Sequence, residues 1–241
     1  MKNSVHFVIQ GKGGIGKSWV SVLLAQYLKK KAGNTVNFDT DQENTTFAHY
    51  KALSAIHISV MTPSRIIDAK KFDGMIEKIM EADCPAVIDN GANTFSPLLA
   101  YMLENSVIDV LQDGGKKVFF HIIIGGGSEL KDTKEGFVSF ATQFDVPIVL
   151  WLNEFFGSFV DASGTHLAET EAYKANEDKV TGVVLLPARN QQTFGDDIRR
   201  MNTMRLTFDE VIASSSFGLM EKQRLKTVGR EVFEQLDKIE F

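Results

Sequence analysis

The sequence predicts an α/β fold: a mostly parallel sheet flanked by helices on both faces. Short β-branched runs alternate with longer segments of helical period, and those runs are apolar throughout, as strands covered on both sides are. A glycine-rich stretch also joins the first run to the first helical segment, the layout of a phosphate-binding βα turn. Strands are expected at residues 5–10, 35–40, 56–60, 86–89, 118–124, 148–152 and 183–186. Helices are expected at 17–31, 45–53, 70–82, 95–111 and 129–144.

In the first helix, Val20, Leu23, Leu24, Tyr27 and Leu28 recur at core-facing spacing, and Gly33-Asn34 supplies the stop. Residues 164–179 are polar and read as a surface helix or an insertion. A terminal helix at about 219–240 carries the stripe Leu225, Val228, Val232, Leu236 and Ile239. Packing onto the sheet is the simplest use of that stripe; docking to a partner or a membrane is the alternative. Membrane contact wants a strongly basic polar face. Here Lys222, Arg224, Lys226 and Arg230 are diluted by Glu221, Glu231, Glu234, Asp237 and Glu240. With no internal repeat or low-complexity linker, residues 1–241 read as a single domain.

Composition narrows the class. A 44% hydrophobic and 24% charged chain with net charge -5 is ordinary for a globular protein and unlike one coated in basic surface. A lone Cys84 forms no intramolecular disulfide. No signal-like segment opens the chain and no apolar run reaches the ~20 residues of a membrane span, so a cytoplasmic location is expected. His6, His49, His57, His121 and His166 lack metal-ligand spacing.

The chemistry begins at "VIQGKGGIGKSWV", residues 8–20. Its glycines fit both G-x-G-x-x-G, a dinucleotide turn, and G-x-x-x-x-G-K-S, a triphosphate P-loop. Asp39 suits the acidic position of the first pattern and so does not separate them. Lys17 and Ser18 do: a triphosphate needs a cation on its β- and γ-phosphates and a hydroxyl on Mg²⁺, whereas a pyrophosphate is held mainly by backbone amides. Asp89, closing the run "AVID", then suits the strand-end aspartate that orients the Mg²⁺ shell. A P-loop NTPase is therefore the reading. With no N-K-x-D element for guanine, the base is expected to be adenine. Asn153, ending another strand, is placed either to bind the purine or to close its own turn.

The loop "KGGIGKS" is a deviant Walker A pattern, and it resembles the ParA/MinD group of ATPases. That resemblance implies an ATP-dependent homodimer in which Lys12 crosses the interface to the partner's nucleotide. "VNFDTDQENTT" resembles the group's D-x-D-x-Q-x-N segment. By that likeness Asp41 orients or activates the attacking water and Asp39 supports the Mg²⁺ shell beside Ser18 and Asp89. The catalytic set is then Lys12, Lys17 and Asp41. ATP is expected to contact Gly11, Lys12, Gly13, Gly14, Ile15, Gly16, Lys17, Ser18, Trp19 and Asn153.

"HFVIQGKGGIGKS", "VIDNGANTF" and "WLNEFFG", among other stretches, also resemble the TraL proteins of conjugative plasmids over nearly the whole length. This implies a nucleotide-switched accessory to plasmid transfer or maintenance in a bacterium, with a protein partner from the conjugation or partition machinery. Partition ATPases usually read K-T-T where this chain has Lys17-Ser18-Trp19. Non-specific DNA binding would use Arg199, Arg200, Arg205, Lys222, Arg224, Lys226 and Arg230. The nitrogenase iron protein, an electron-transfer relative, needs two cysteines per subunit, which Cys84 alone does not supply. A small-molecule kinase or synthetase is the runner-up, with an acceptor bordered by the glycine turn "IGGGSELKD". A dinucleotide oxidoreductase is third.

Overall fold

The computed structural model describes residues 1–64, 66–161 and 163–241. The elements run β1 Ser4–Ile9, α1 Lys17–Ala32, β2 Val36–Asp39, β3 Ile56–His57, α2 Asp73–Glu81, β4 Ala86–Asp89, α3 Phe95–Glu104 and α4 Val107–Asp113. They continue through β5 Lys117–Gly125, α5 Leu130–Gln143, β6 Ile148–Asn153, α6 Glu171–Lys174, β7 Val180–Leu186, α7 Asp196–Thr203, α8 Phe208–Ala213 and α9 Leu219–Leu236. The strands form a seven-stranded sheet in the order β3-β2-β4-β1-β5-β6-β7, and every pairing is parallel.

Alternation along β1 sends Val5, Phe7 and Ile9 to one face of the sheet and Val8 to the other. On the first face lie α2 to α5, anchored by Met75, Leu98, Leu111 and Phe137. The second face carries α1, α7, α8 and α9, with Leu23, Met201, Phe208 and Val232 in its core. Every strand therefore ends at one edge, where the turns into the next elements gather.

Several expectations change. The segment 45–53 is not a helix but two 3-10 turns, Phe47–His49 and Lys51–Leu53. Side chains compete for its backbone: Asp39 accepts the Ala48 N–H at 2.9 Å, and a His49 ring nitrogen lies 2.6 Å from the Thr45 carbonyl. The single helix expected over 95–111 breaks between Asn105 and Ser106, because Ser106 takes φ 47, which no α-helix accommodates. β3 keeps only two residues of the five expected, and the polar 164–179 segment holds the one-turn α6 between 3-10 turns. The helices α7 and α8 had no counterpart in the sequence reading.

α1 buries more than a stripe, since Ser21, Val22 and Ala25 are also covered. The stripe on α9 packs inward: Leu225, Val228, Val232 and Leu236 are buried, leaving Leu219 and Met220 exposed at the helix start. No helix among the described residues is long and apolar enough to cross a membrane.

Candidate nucleotide site

β1 delivers the chain to the sheet edge at Gln10, which is fully buried. Its amide donates to the carbonyls of Ile123 and Thr133 at 2.9 and 3.1 Å and accepts the Gly11 N–H at 2.9 Å. The loop then turns through Gly14 at φ 72 and Gly16 at φ 104, left-handed conformations that a side chain resists. Gly16 is the N-cap of α1; no side chain caps this end, and no acid sits in its first turn. The first amides of a sixteen-residue helix thus face the loop unneutralised, which favours an anion there. Ile15 is buried beneath the loop and pins it.

Lys17 follows, largely buried, with Nζ donating to the Lys12 carbonyl at 2.7 Å. Burial lowers its pKa, while Asp89 and Asp41 resist that shift. Lys12 points away along the outer face, Nζ 2.9 Å from Asp132 and 3.1 Å from Glu129.

Sheet register places Asp39 and Asp89 side by side at the ends of β2 and β4, with Asp89 opposite Val8 of β1. Burial, reinforced by Asp39, pushes the Asp89 carboxyl up to about 7, against the pull of the Ser18 and Ser21 hydroxyls and the Lys17 ammonium. Oδ1 accepts from Ser21 at 3.0 Å; Oδ2 is buried with no hydrogen-bond partner among the described residues. Asp39 is also buried, which raises its pKa, but both of its oxygens are occupied by the Asp41 and Ala48 amides at 3.0 and 2.9 Å. Asp41 lies beyond the end of β2, so strand alternation does not align it with Asp39. Its Oδ1 accepts the Glu43 and Asn44 N–H groups at 2.9 and 3.0 Å.

Two cavities meet at the loop. One, of about 390 Å³, is walled by Gly13, Lys17, Ser18, Asp41, Ala92 and Asn93. Asp39 and Asp89 lie behind this wall rather than on it. The other, of about 520 Å³, shares Gly14, Gly16 and Trp19 and extends over the ends of β6 and β7 to Phe155, Pro187 and Arg189. Asn153 engages both ends of its amide, Nδ2 donating to the Ile15 carbonyl at 3.1 Å and Oδ1 accepting the Phe155 N–H at 3.2 Å. It braces the loop from the second cavity's wall.

The glycine turn after β5 is closed: a Cβ on Gly126 would meet the Gly157 carbonyl oxygen at 1.8 Å, and one on Gly127 the Phe156 oxygen at 2.1 Å. It is a backbone-on-backbone packing turn. Sequence reasoning missed the second cavity's Pro187 and Arg189, although "LPAR" after β7 marks a strand end on the functional edge. It also passed over Asn93, four residues beyond Asp89.

Residues 6–205 match the family model described as the CobQ/CobB/MinD/ParA nucleotide binding domain. Two proteins of Escherichia coli, each named Protein TraL, are 39% and 38% identical over 235 residues, covering 97% of both chains in each case. Among solved structures, a MinD cell division protein from Aquifex aeolicus superposes with TM-score 0.52 at 12% identity, covering 96% of this chain and 97% of that one. A nucleotide-binding protein from Archaeoglobus fulgidus, in complex with ADP, gives 0.50 at 19% identity over 84% and 86%. At such identities the structural likeness speaks for the fold.

Proposed function

Since the chain belongs to the CobQ/CobB/MinD/ParA nucleotide-binding domain family, we propose that it is a Mg²⁺-dependent ATPase that switches between monomer and ATP-bound dimer. The observation that carries this reading is the junction of the two cavities at Gly14, Gly16 and Trp19. One side offers a buried ammonium and a hydroxyl for phosphates, with carboxylates beside them for a metal ion and water; the other is roomy and largely apolar, suited to a nucleoside. Its likeness to the TraL proteins supports a place in conjugal transfer or maintenance of a plasmid, in the cytoplasm of a bacterial host. There the ATP-closed dimer presents a surface to a protein of the conjugation or partition machinery, and hydrolysis withdraws it.

Magnesium fits the residues present. No group of three or more His, Cys, Asp or Glu stands ready to hold a metal by itself among the described residues. The buried, unpartnered Oδ2 of Asp89 beside Ser18 is the kind of acceptor that a metal's water shell completes. Ser18 and Asp89 would hold the ion together with the phosphates, with Asp39 supporting Asp89 from the neighbouring strand. The ion supplies neutralisation of the β- and γ-phosphate charge. Lys17 adds a fixed cation at the same oxygens, Asp41 positions the attacking water, and Lys12 leaves its own acids to reach the partner's nucleotide.

Solution mass by light scattering tests this. Asp41→Ala, which slows hydrolysis, should dimerise with Mg²⁺-ATP and stay monomeric with Mg²⁺-ADP. Adding Lys12→Ala should weaken the dimer or leave it inactive. A monomer with both nucleotides would sink the switch reading.

A further inference from the structure

We propose that Asn93 contacts the γ-phosphoryl group and the attacking water, making it the residue by which the site tells ATP from ADP. The proposal rests on the ATP reading above and extends it to a residue outside the loop and the acidic pair. Asn93 lines the cavity that Lys17, Ser18 and Asp41 also line. Both atoms of its amide, Oδ1 and Nδ2, are buried without a hydrogen-bond partner among the described residues. Two unsatisfied polar atoms on one side chain are costly to folding, and a native structure keeps such a group where a bound water or a ligand completes it. Asn37 also leaves an oxygen unpartnered, yet its Nδ2 is bonded to the Leu53 carbonyl in the core and it does not line the phosphate-side cavity. Asn93 differs in that the residue lines the phosphate-side space, although its amide atoms are covered there.

The surrounding backbone explains the placement. A Cβ on Gly91 would lie 2.7 and 2.8 Å from Cα and Cγ of Asp41 and 2.8 Å from Oδ1 of Asn93. Glycine at 91 is therefore what lets Asn93 and Asp41 lie together over the turn. Asn90 fixes that turn from below: its Oδ1 accepts from the hydroxyls of Thr40 and Thr94 at 2.9 and 3.0 Å. The segment after β2 and the segment after β4 are thus joined on both sides of Asn93.

The chemistry suits an amide and not a carboxylate. Nδ2–H donates to an anionic phosphoryl oxygen, while Oδ1 accepts a proton of the water that Asp41 positions. In the step served, the water oxygen bonds to Pγ as the bond from Pγ to the bridging oxygen breaks. ADP leaves with the electron pair, and the water's proton departs with inorganic phosphate.

Calorimetric titration of the full chain with Mg²⁺-ADP and a non-hydrolysable Mg²⁺-ATP analogue tests the assignment. Asn93→Ala should weaken the analogue about tenfold, some 1.4 kcal/mol, and leave ADP within about twofold. Asn93→Asp should weaken the analogue further, by like-charge repulsion of the γ-phosphate. Equal weakening of both nucleotides, or no change in either, overturns the proposal. Should the variants fail to fold, the side-chain amide signal of Asn93 in the wild-type protein decides: it must shift with the analogue and not with ADP. A wild-type chain that binds neither nucleotide removes the ATP reading itself, and this assignment with it.

Discussion

The indole nitrogen of Trp151 can only donate, and this orders a chain of buried polar atoms. Trp151 donates to Nδ1 of His121 at 2.9 Å, so His121 carries its proton on Nε2 and donates to Nδ1 of His6, also at 2.9 Å. His6 then donates from Nε2 to the Ser4 hydroxyl at 2.8 Å, which donates to the Met1 carbonyl at 2.6 Å. Both imidazoles are neutral by geometry, and Phe119 and Phe241 pack on His6. Burial lowers His121 to about 3, and burial with the neighbouring His121 takes His6 well below its usual value. A folded pKa below the unfolded 6.5 means the stability is complete above about pH 6.5 and drains as pH falls toward 3. The loss approaches ~1.4 kcal/mol per pH unit for each histidine. Asp89 opposes it. Its folded pKa of about 7 exceeds the ordinary 3.8, so its contribution is present in acid and lost as pH rises through 7. Urea unfolding between pH 6.5 and 4.5 should therefore show stability falling with acid, and falling more steeply in Asp89→Asn by ~1.4 kcal/mol per unit. Parallel profiles for the two proteins would mean that the Asp89 carboxyl is ionised in the folded state.

At the scale of elements, the loops of the functional edge support one another. Gly125 pairs with Asn153 across β5 and β6, Gly126 abuts Gly157, and Asn153 holds the Ile15 carbonyl. Gly126→Ala should force these backbones apart, lower stability by more than about 2 kcal/mol through overpacking, and weaken nucleotide binding by shifting the Asn153 brace. Gly74→Ala is the contrast: it lies in α2 with nothing within 4 Å of an added Cβ. That change should stabilise by ~0.5–1 kcal/mol on helix propensity alone and leave binding untouched. Thermal melts and nucleotide titrations on the two variants check both statements; equal melting points would refute the packing account. These contacts also mark what the sequence could and could not convey. The central strands were legible because strands covered on both faces must be apolar throughout, and the loop because few residues perform phosphate binding at that spacing. The 45–53 segment misled because its helical pattern loses to a side-chain bond from Asp39, about thirty ångströms away along an extended chain but adjacent in the fold. The helices α7 and α8 bury only Asp197, Met201, Phe208 and Val211, too few to leave a periodic signal. Asn93 was invisible because its character comes from burial and lost partners, not from its residue type.

At the scale of the whole molecule, the placement of its charges bears on DNA binding. Counting residues, the second-face helices look basic, with Arg199, Arg200, Arg224 and Arg230 close in sequence and Arg189 before them. In the fold each meets an acid: Arg199 with Asp196, Arg200 with Glu221, Arg224 with Asp197, Arg230 with Glu234 and Arg189 with Glu231. Arg205 lies over the Tyr50 ring and donates to the Asn202 carbonyl. A phosphate approaching this surface must displace a carboxylate at nearly every guanidinium, although the candidate lysines Lys222 and Lys226 stand without an ion pair among the described residues, and it meets a chain of net charge -5. Non-specific affinity comes from counterions released as cations neutralise phosphates, and cations already neutralised release few. Duplex DNA should therefore bind with a Kd weaker than ~10⁻⁴ M at physiological salt, and with a shallow salt dependence. Fluorescence anisotropy on a labelled duplex at two salt concentrations, with Mg²⁺-ATP and with Mg²⁺-ADP, measures both quantities. Micromolar binding that falls steeply with salt only in the ATP state would overturn this, because it would require the closed dimer to assemble a basic surface that one subunit lacks. Weak binding in both states favours a protein, not DNA, as the partner of the proposed switch.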